Sequence, residues 1–322
     1  MKRAQCVHSF NSLLGDDQDE EDCFITGLST DGVNIYIIDR NGYEGENNRV
    51  KVFSYEGEFK FDWRFDGPQD ITVSERGVIY VTSEGEKCVK FYSNLDREEN
   101  RSNGENNNLF LNQLECPFGI AQDKEGHVLV CDSKQKTVYS FDTESEELVN
   151  MLQISEWECP QYIAVNKTND TIVVSDWAAA SVHIVNSSGD ILAQYGDCQN
   201  NNRDPMNIPQ GVCCDEDGFI YIADCWNHRI IMLDPDGKFV NYVAKETDGL
   251  HFPQALATNS AGELLVAERH SGMIKRFELI DVPIETISPE ELQQFLIAAL
   301  NYKPTLLAIC YRGQQYAITY DV

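Results

Sequence analysis

Residues 208–238 read IPQGVCCDEDGFIYIADCWNHRIIMLDPDGK, and this stretch decides the fold. Pro209-Gln-Gly211 opens the unit, and Asp215 to Gly218 carry turn chemistry. Phe219 to Asp224 reads as a strand. Asn227-His228-Arg229 then leads into a second strand at Ile230–Leu233, closed by Asp-Pro-Asp-Gly. The same order of parts recurs from Gly67, Cys116, Cys159 and Phe252. Its anchoring prolines, Pro68, Pro117, Pro160, Pro209 and Pro253, are spaced by 49, 43, 49 and 44 residues. A period in the forties with several short strands per unit predicts a β-propeller.

A further unit lies upstream. Residues 25–58 keep the strand pair, at 33–39 and 49–53, but lack the proline; Phe24 lies 44 residues before Pro68, so the unit is in phase. Six blades are therefore predicted, each with four antiparallel strands, a to d from the axis outward. In blade five these fall at 211–214, 219–224, 229–233 and 239–244. Blade six offers strand a at 255–258, b at 263–267 and c at 273–279, and then turns away at Asp281-Val-Pro-Ile. Ala4 to Phe10 has the phase of a d strand, so the N-terminus is expected to complete the last blade and remove an exposed edge. The predicted fold class is all-β, a six-bladed propeller over residues 4–280 with a C-terminal extension over 281–322. In that extension Ser288-Pro-Glu-Glu291 is a helix start, with Leu292, Phe295, Leu296, Ala299 and Leu300 on one face, and a hairpin is expected after Lys303-Pro304. The polar, Asn-rich residues 93–113 read as a surface loop between blades two and three.

The chain of 322 residues has 25 Lys and Arg against 53 Asp and Glu, a net charge of −28. Part of that charge is one acidic run at residues 16–22. Such a surface repels nucleic-acid backbones and anionic membranes. The N-terminal MKRAQCVHSF has no apolar core, so neither a secretory signal nor a spanning segment is expected, and a cytoplasmic location follows. The eleven cysteines then read as small buried hydrophobes in a reducing compartment. Nowhere do two of them take Cys-x-x-Cys spacing, so zinc-finger and RING patterns are absent from this sequence.

The blade unit resembles the NHL repeat, most closely in blade five, where Ile222-Ala-Asp224 precedes Asn227-His228-Arg229. Blade one keeps Asp39 and Asn48-Arg49-Val50; blade six is looser, with Glu268 for the aspartate and Ser271-Gly272 in place of Asn-His. The likeness extends over about residues 4–280 and is similar in flavour to the propellers of tripartite-motif NHL proteins. It implies a binding module, with a role beside ubiquitin ligases, rather than ligase chemistry in this chain.

In a propeller the b–c and d–a loops share one face. The b–c loops here offer Arg40-Asn41-Gly42-Tyr43, Ser83-Glu84, Ser133-Lys134, Trp177-Ala178, Cys225-Trp226 and Arg269-His270; the d–a loops offer Asp66, Glu115, Glu158, Asn207 and His251. Trp177 and Trp226 occupy what read as equivalent loops of adjacent blades, and loop aromatics are the commonest binding hot spots. With Arg269, His270, Tyr43, Arg40, Lys134 and His251 they form the expected partner site for a protein or peptide. Asp39, Asp132, Asp176, Asp224 and Glu268 all end strand b and read as a blade signature that accepts backbone N–H groups. Of the six histidines, His251 and His270 are expected on the loop face, with no third zinc ligand. No Ser-His-Asp or Cys-His arrangement stands out. A non-enzymatic, monomeric binding scaffold without metal or cofactor is therefore expected. RNA binding and a metal-dependent hydrolase or lyase are the competing readings, and the acidic loops weigh against RNA.

Overall fold

Each blade is built on strands that must be buried on both sides. Asn34–Asn41 shows why: Ile35 and Ile37 pack toward blade six, while Tyr36 and Ile38 pack toward blade two. In blade five Ile220 and Ile222 face one neighbour, and Tyr221 and Ala223 the other. Successive side chains of a strand point to opposite faces, so a strand covered on both reads as a continuous apolar run. The core is accordingly six buried clusters, each between two adjacent blades.

The structure, a computed structural model, describes residues 2–14, 23–41, 48–92, 108–109, 113–196, 205–281, 307–311 and 314–318. Strand β1 (Lys2–Asn11) comes first in the chain and last in the ring. Blade one holds β2 (Cys23–Thr30), β3 (Asn34–Asn41), β4 (Arg49–Ser54) and β5 (Phe59–Arg64). Blade two holds β6 (Pro68–Val73), β7 (Ile79–Ser83), β8 (Cys88–Tyr92) and β9 (Asn108–Leu109). Blade three runs β10 (Pro117–Gln122), β11 (Val128–Asp132), β12 (Thr137–Phe141) and β13 (Leu148–Gln153). Blade four runs β14 (Pro160–Asn166), β15 (Thr171–Asp176), β16 (Ser181–Val185) and β17 (Ile191–Tyr195). In blade five come β18 (Pro209–Cys214), β19 (Ile220–Asp224), β20 (Arg229–Leu233) and β21 (Phe239–Ala244). Blade six has β22 (Pro253–Thr258), β23 (Leu264–Glu268) and β24 (Met273–Asp281), with β1 as its outer strand. The six-bladed, all-β architecture is thus the one expected.

Ring closure by the N-terminus is observed: β1 pairs antiparallel with β24, from Lys2 opposite Asp281 to Asn11 opposite Met273. Its exit is latched on two sides. Ser12 donates its N–H and its hydroxyl to the Gly272 carbonyl, both at 2.9 Å, and the buried Lys51 ammonium of blade one donates to the Ser12 carbonyl at 3.0 Å. Lys51 also lies 2.5 Å from the Asp39 carboxylate. Arg3 adds an ion pair to Asp248 of blade five at 3.0 Å.

One expectation needs correction. The outer strand of blade two lies inside the stretch read as loop, as the two residues of β9 against β8. A polar run gives no apolar alternation to mark so short a strand. Residues 16–22, 93–107 and 110–112, and the helix expected from Ser288, lie outside the described residues. The expected hairpin is present as β25 (Leu307–Tyr311) and β26 (Gln314–Ile318).

Candidate functional site: the loop-face mouth of the channel

The loop face is framed by the carboxylates that end strand b. Asp132 accepts N–H bonds from Glu115 and Cys116 in the preceding d–a loop, at 2.6 and 3.1 Å, and from Lys134 and Gln135 in its own b–c loop, at 3.1 and 2.9 Å. Asp176 does the same for Glu158, Cys159 and Ala179 at 2.6, 2.9 and 3.1 Å. Asp224 takes Asn207 N–H at 2.8 Å, the Asn227 amide at 2.9 Å and Arg229 Nε at 2.6 Å. Glu268 takes His251 N–H and the Ser271 hydroxyl, both at 2.8 Å. A buried carboxylate with this many donors is a satisfied structural clamp between two loops. Blade two is the exception: Ser83 pairs with Pro68 where the other blades have an acid, and its hydroxyl donates to the Asp66 carbonyl at 2.6 Å.

The residue after this clamp varies round the ring: Arg40, Glu84, Ser133, Trp177, Cys225 and Arg269. Constant backbone anchoring with changing side chains is how a rigid scaffold carries specificity. Trp177 directly follows its carboxylate. Trp226 is not strictly equivalent, as the sequence suggested, because buried Cys225 intervenes and Trp226 lies in a 3-10 turn, Cys225–Asn227. Both indoles stand out from the surface, Trp177 at 40% and Trp226 at 51% exposure, although Trp226 also meets Phe252 edge-on at 6.1 Å between ring centroids. A pocket of about 480 Å³ opens beside them, lined among others by Phe24, Arg40, Phe118, Trp177, Trp226 and Arg269.

Beneath the mouth the channel is closed by side chains from the strand a openings. In four blades the dipeptide after the proline is looped out by a register shift, between Pro68 and Ile71 for instance, and in blade six Gln254 alone is; such bulges re-aim side chains. The first of its residues is Gln69, Gln161, Gln210 or Gln254, with Phe118 in blade three. The second, in the four blades that loop out two, is Asp70, Gly119, Tyr162 or Gly211. Tyr162 fills the axis. Its hydroxyl donates to the Thr26 carbonyl of blade one at 2.7 Å and accepts from Gln254 at 2.7 Å, and Gln254 also donates to Gln210 at 2.7 Å. Strand a backbones approach closely here: a Cβ on Gly119 would meet the Gln161 carbonyl of blade four at 2.4 Å, and one on Gly211 the Gln254 carbonyl of blade six at 2.7 Å. Asp70 is buried in the channel wall, accepting N–H bonds from Ile71 at 2.9 Å and Ile120 at 3.2 Å. Burial outweighs those bonds and pushes its carboxyl up to about 8.

The predicted site residues divide into groups. Arg40, Trp177, Trp226 and Arg269 meet round the pocket. His270 packs edge-on to Phe24 and Phe252, at 5.2 and 5.4 Å between ring centroids, at its rim. His251 lies farther out against His228, at 6.0 Å. Lys134, on blade three, pairs with Glu115 at 2.6 Å and does not line the pocket. Tyr43 lies outside the described residues. Sequence reasoning left out Tyr162, Asp70 and the glutamines; the recurring Pro-Gln dipeptide was the signal for the last. It also left out His228 as a loop-face histidine, whose Nδ1 accepts the Phe252 N–H at 3.0 Å. One group able to hold an ion, Asp123, Glu125 and His127, lies in the a–b turn of blade three on the opposite face. No described helix is long and apolar enough to cross a membrane.

Comparison with known proteins agrees with this architecture. The NHL repeat family matches residues 206–231, within blade five. The E3 ubiquitin-protein ligase NHLRC1 of Rattus norvegicus is 24% identical over 242 residues, covering 71% of this chain and 59% of the ligase. Protein brain tumor of Drosophila melanogaster is 26% identical over 134 residues, 40% of this chain and 12% of that protein. Among solved structures, a virginiamycin B lyase from Staphylococcus aureus with quinupristin superposes at a TM-score of 0.58, 12% identical, covering 90% of this chain and 92% of that one. A Bacteroides thetaiotaomicron protein of unknown function reaches 0.65 at 15% identity, over 87% of this chain and 76% of that one. Likeness at these identities concerns the fold. The match spans about three-fifths of the first ligase's length.

Proposed function

We propose that this chain, an NHL-repeat β-propeller, is a binding platform that grips a peptide segment of a protein partner at the loop-face mouth. The observation that carries the reading is the pair of half-exposed indoles, Trp177 and Trp226, beside a pocket of about 480 Å³. Exposed tryptophans leave apolar surface in water that a partner would cover, and they anchor interfaces more often than other residues. The surrounding clamps hold their loops still, so little ordering entropy is spent on binding. The likeness to an E3 ubiquitin-protein ligase supports an adaptor role in ubiquitin-related regulation. The test is affinity capture from cell extract with wild type and Trp177→Ala/Trp226→Ala. Loss of bound proteins with an unchanged melting temperature is expected; retention of every one would move the site elsewhere.

RNA is the competing ligand on this fold. Arg40 and Arg269 are set against Asp66, Glu84, Glu115 and Glu158 on the same face and a net charge of −28. Phosphate neutralisation supplies much of RNA affinity, so binding weaker than about micromolar at physiological salt is expected. A filter-binding titration giving tighter, steeply salt-dependent binding would overturn this.

A further inference from the structure

The arginines of this acidic protein are mostly spoken for. Of those that are not exposed, Arg49 pairs with Asp62 at 3.0 Å, Arg229 with Asp224 at 2.6 Å and Arg276 with Glu263 at 3.4 Å. Arg40 and Arg269 make no ion pair among the described residues. Both belong to the variable position after the strand b acid, on blades one and six, which adjoin in the ring. Arg40 donates to the neutral Gln69 amide at 2.9 Å, and that amide in turn donates to Glu84. Arg269 lies over the Phe24 ring at 5.4 Å. Neither Cys225 nor Tyr162 supplies a counter-charge: burial pushes the Cys225 thiol up to about 12 and the Tyr162 phenol well above its usual range. With 53 acidic residues available, two half-buried guanidiniums facing one pocket without a carboxylate are a placed positive charge. Guanidinium groups favour bidentate binding to a carboxylate, and the low dielectric of a pocket strengthens it.

Resting on the platform reading above, we propose that the mouth selects a peptide segment of its partner in which acidic side chains neighbour an apolar or aromatic one. Arg40 and Arg269 take the carboxylates, and Trp177 and Trp226, next round the ring on blades four and five, cover the apolar residue. The four positions form one arc over blades four, five, six and one, so an extended segment meets indoles first and guanidiniums after. Arg40 and Arg269 here determine specificity, while the tryptophans supply most of the affinity.

The test is selection from a displayed random dodecapeptide library on the full chain, with wild type, Arg40→Gln/Arg269→Gln and Trp177→Ala/Trp226→Ala as baits of matched melting temperature. Wild type is expected to enrich peptides with two or more acidic residues beside a Leu, Phe, Tyr or Trp. The arginine variant is expected to enrich apolar peptides without the acids and to bind the wild-type winners about tenfold more weakly, whereas Gln-for-Glu peptides bind both proteins alike. Winners lacking acids on wild type would overturn the arginine assignment while leaving the platform standing. Enrichment by the tryptophan variant equal to wild type, or no enrichment on wild type over an unrelated bait, would overturn both.

Discussion

The two ends of the central channel are built from the same repeat and put it to opposite use. At the end away from the mouth, the a–b turns close on themselves in every blade. Asp31 accepts from Val33 and Asn34, Ser74 from Val78, Asp123 from His127, Asn166 from Thr168, Asp215 from Phe219 and Asn259 from Glu263, over 2.6–3.1 Å. These side chains complete local turns, although Asp123 also belongs to the group with Glu125 and His127 that could hold an ion. At the mouth the clamping acids do the same work for the loops, but the next residue is released from it. There the ring carries arginine, glutamate, serine, tryptophan, cysteine and arginine, with Trp226 one place on. Tyr162 and the glutamines separate the two ends, so a ligand at one does not reach the other through the axis. A repeat that holds its frame with constant residues can vary one position per blade without loss of fold.

The largest effect expected is on both ends at once. Removing residues 1–12 strips β1 from β24 and takes away the Ser12 carbonyl that Lys51 binds, opening an edge in blade six. A loss of several kcal/mol, a large share of a typical 5–15 kcal/mol, should appear in chemical denaturation. An unchanged midpoint would mean the ring does not depend on this strand. Next in size is the mouth alone. Trp177→Ala/Trp226→Ala should weaken partner binding by about 1000-fold with little change in stability, since exposed anchors each contribute on the order of 2 kcal/mol. The far end should behave inversely: Asp215→Ala removes acceptors for Phe219 N–H and the Tyr221 hydroxyl, both at 2.8 Å, costing about 1–3 kcal/mol of stability while leaving binding intact. A binding defect from Asp215→Ala would erase the distinction between the ends.

The smallest effect concerns the wall between them. Asp70 is held up to about 8, above its ordinary 3.8, so between those values the folded chain keeps a proton that the unfolded chain has lost. Stability from this group therefore falls as pH rises through that window and levels off above about 8. Melting temperatures from pH 6 to 9 should decline more steeply for wild type than for Asp70→Asn; parallel curves would show that Asp70 does not carry this titration.

The blades, their order and their closure were legible because strand alternation, turn residues and the proline spacing repeat six or nearly six times, and repetition averages out local noise. β9 escaped because two residues, Asn108 and Leu109, are too few to show alternation. In the site, the b–c loops gave Trp177, Trp226, Arg40 and Arg269 by phase alone. Their sequence neighbour Lys134 followed the same rule yet is neutralised by Glu115, a pairing across loops that spacing does not encode. Tyr162 was hidden for a related reason: its partners at the axis, the Thr26 carbonyl and Gln254, come from blades one and six, and such contacts across the ring leave no mark in spacing.

The most direct measurement of the central claim is photocrosslinking from chosen positions in cell extract. A benzoylphenylalanine side chain is placed at Trp226 on the mouth in one variant and at exposed Asp217, in the far-end turn of the same blade, in another. Discrete protein adducts are expected from position 226, vanishing when Trp177→Ala is added, and none from position 217. Adducts from 217 with none from 226 would contradict the claim and assign the binding face to the other end.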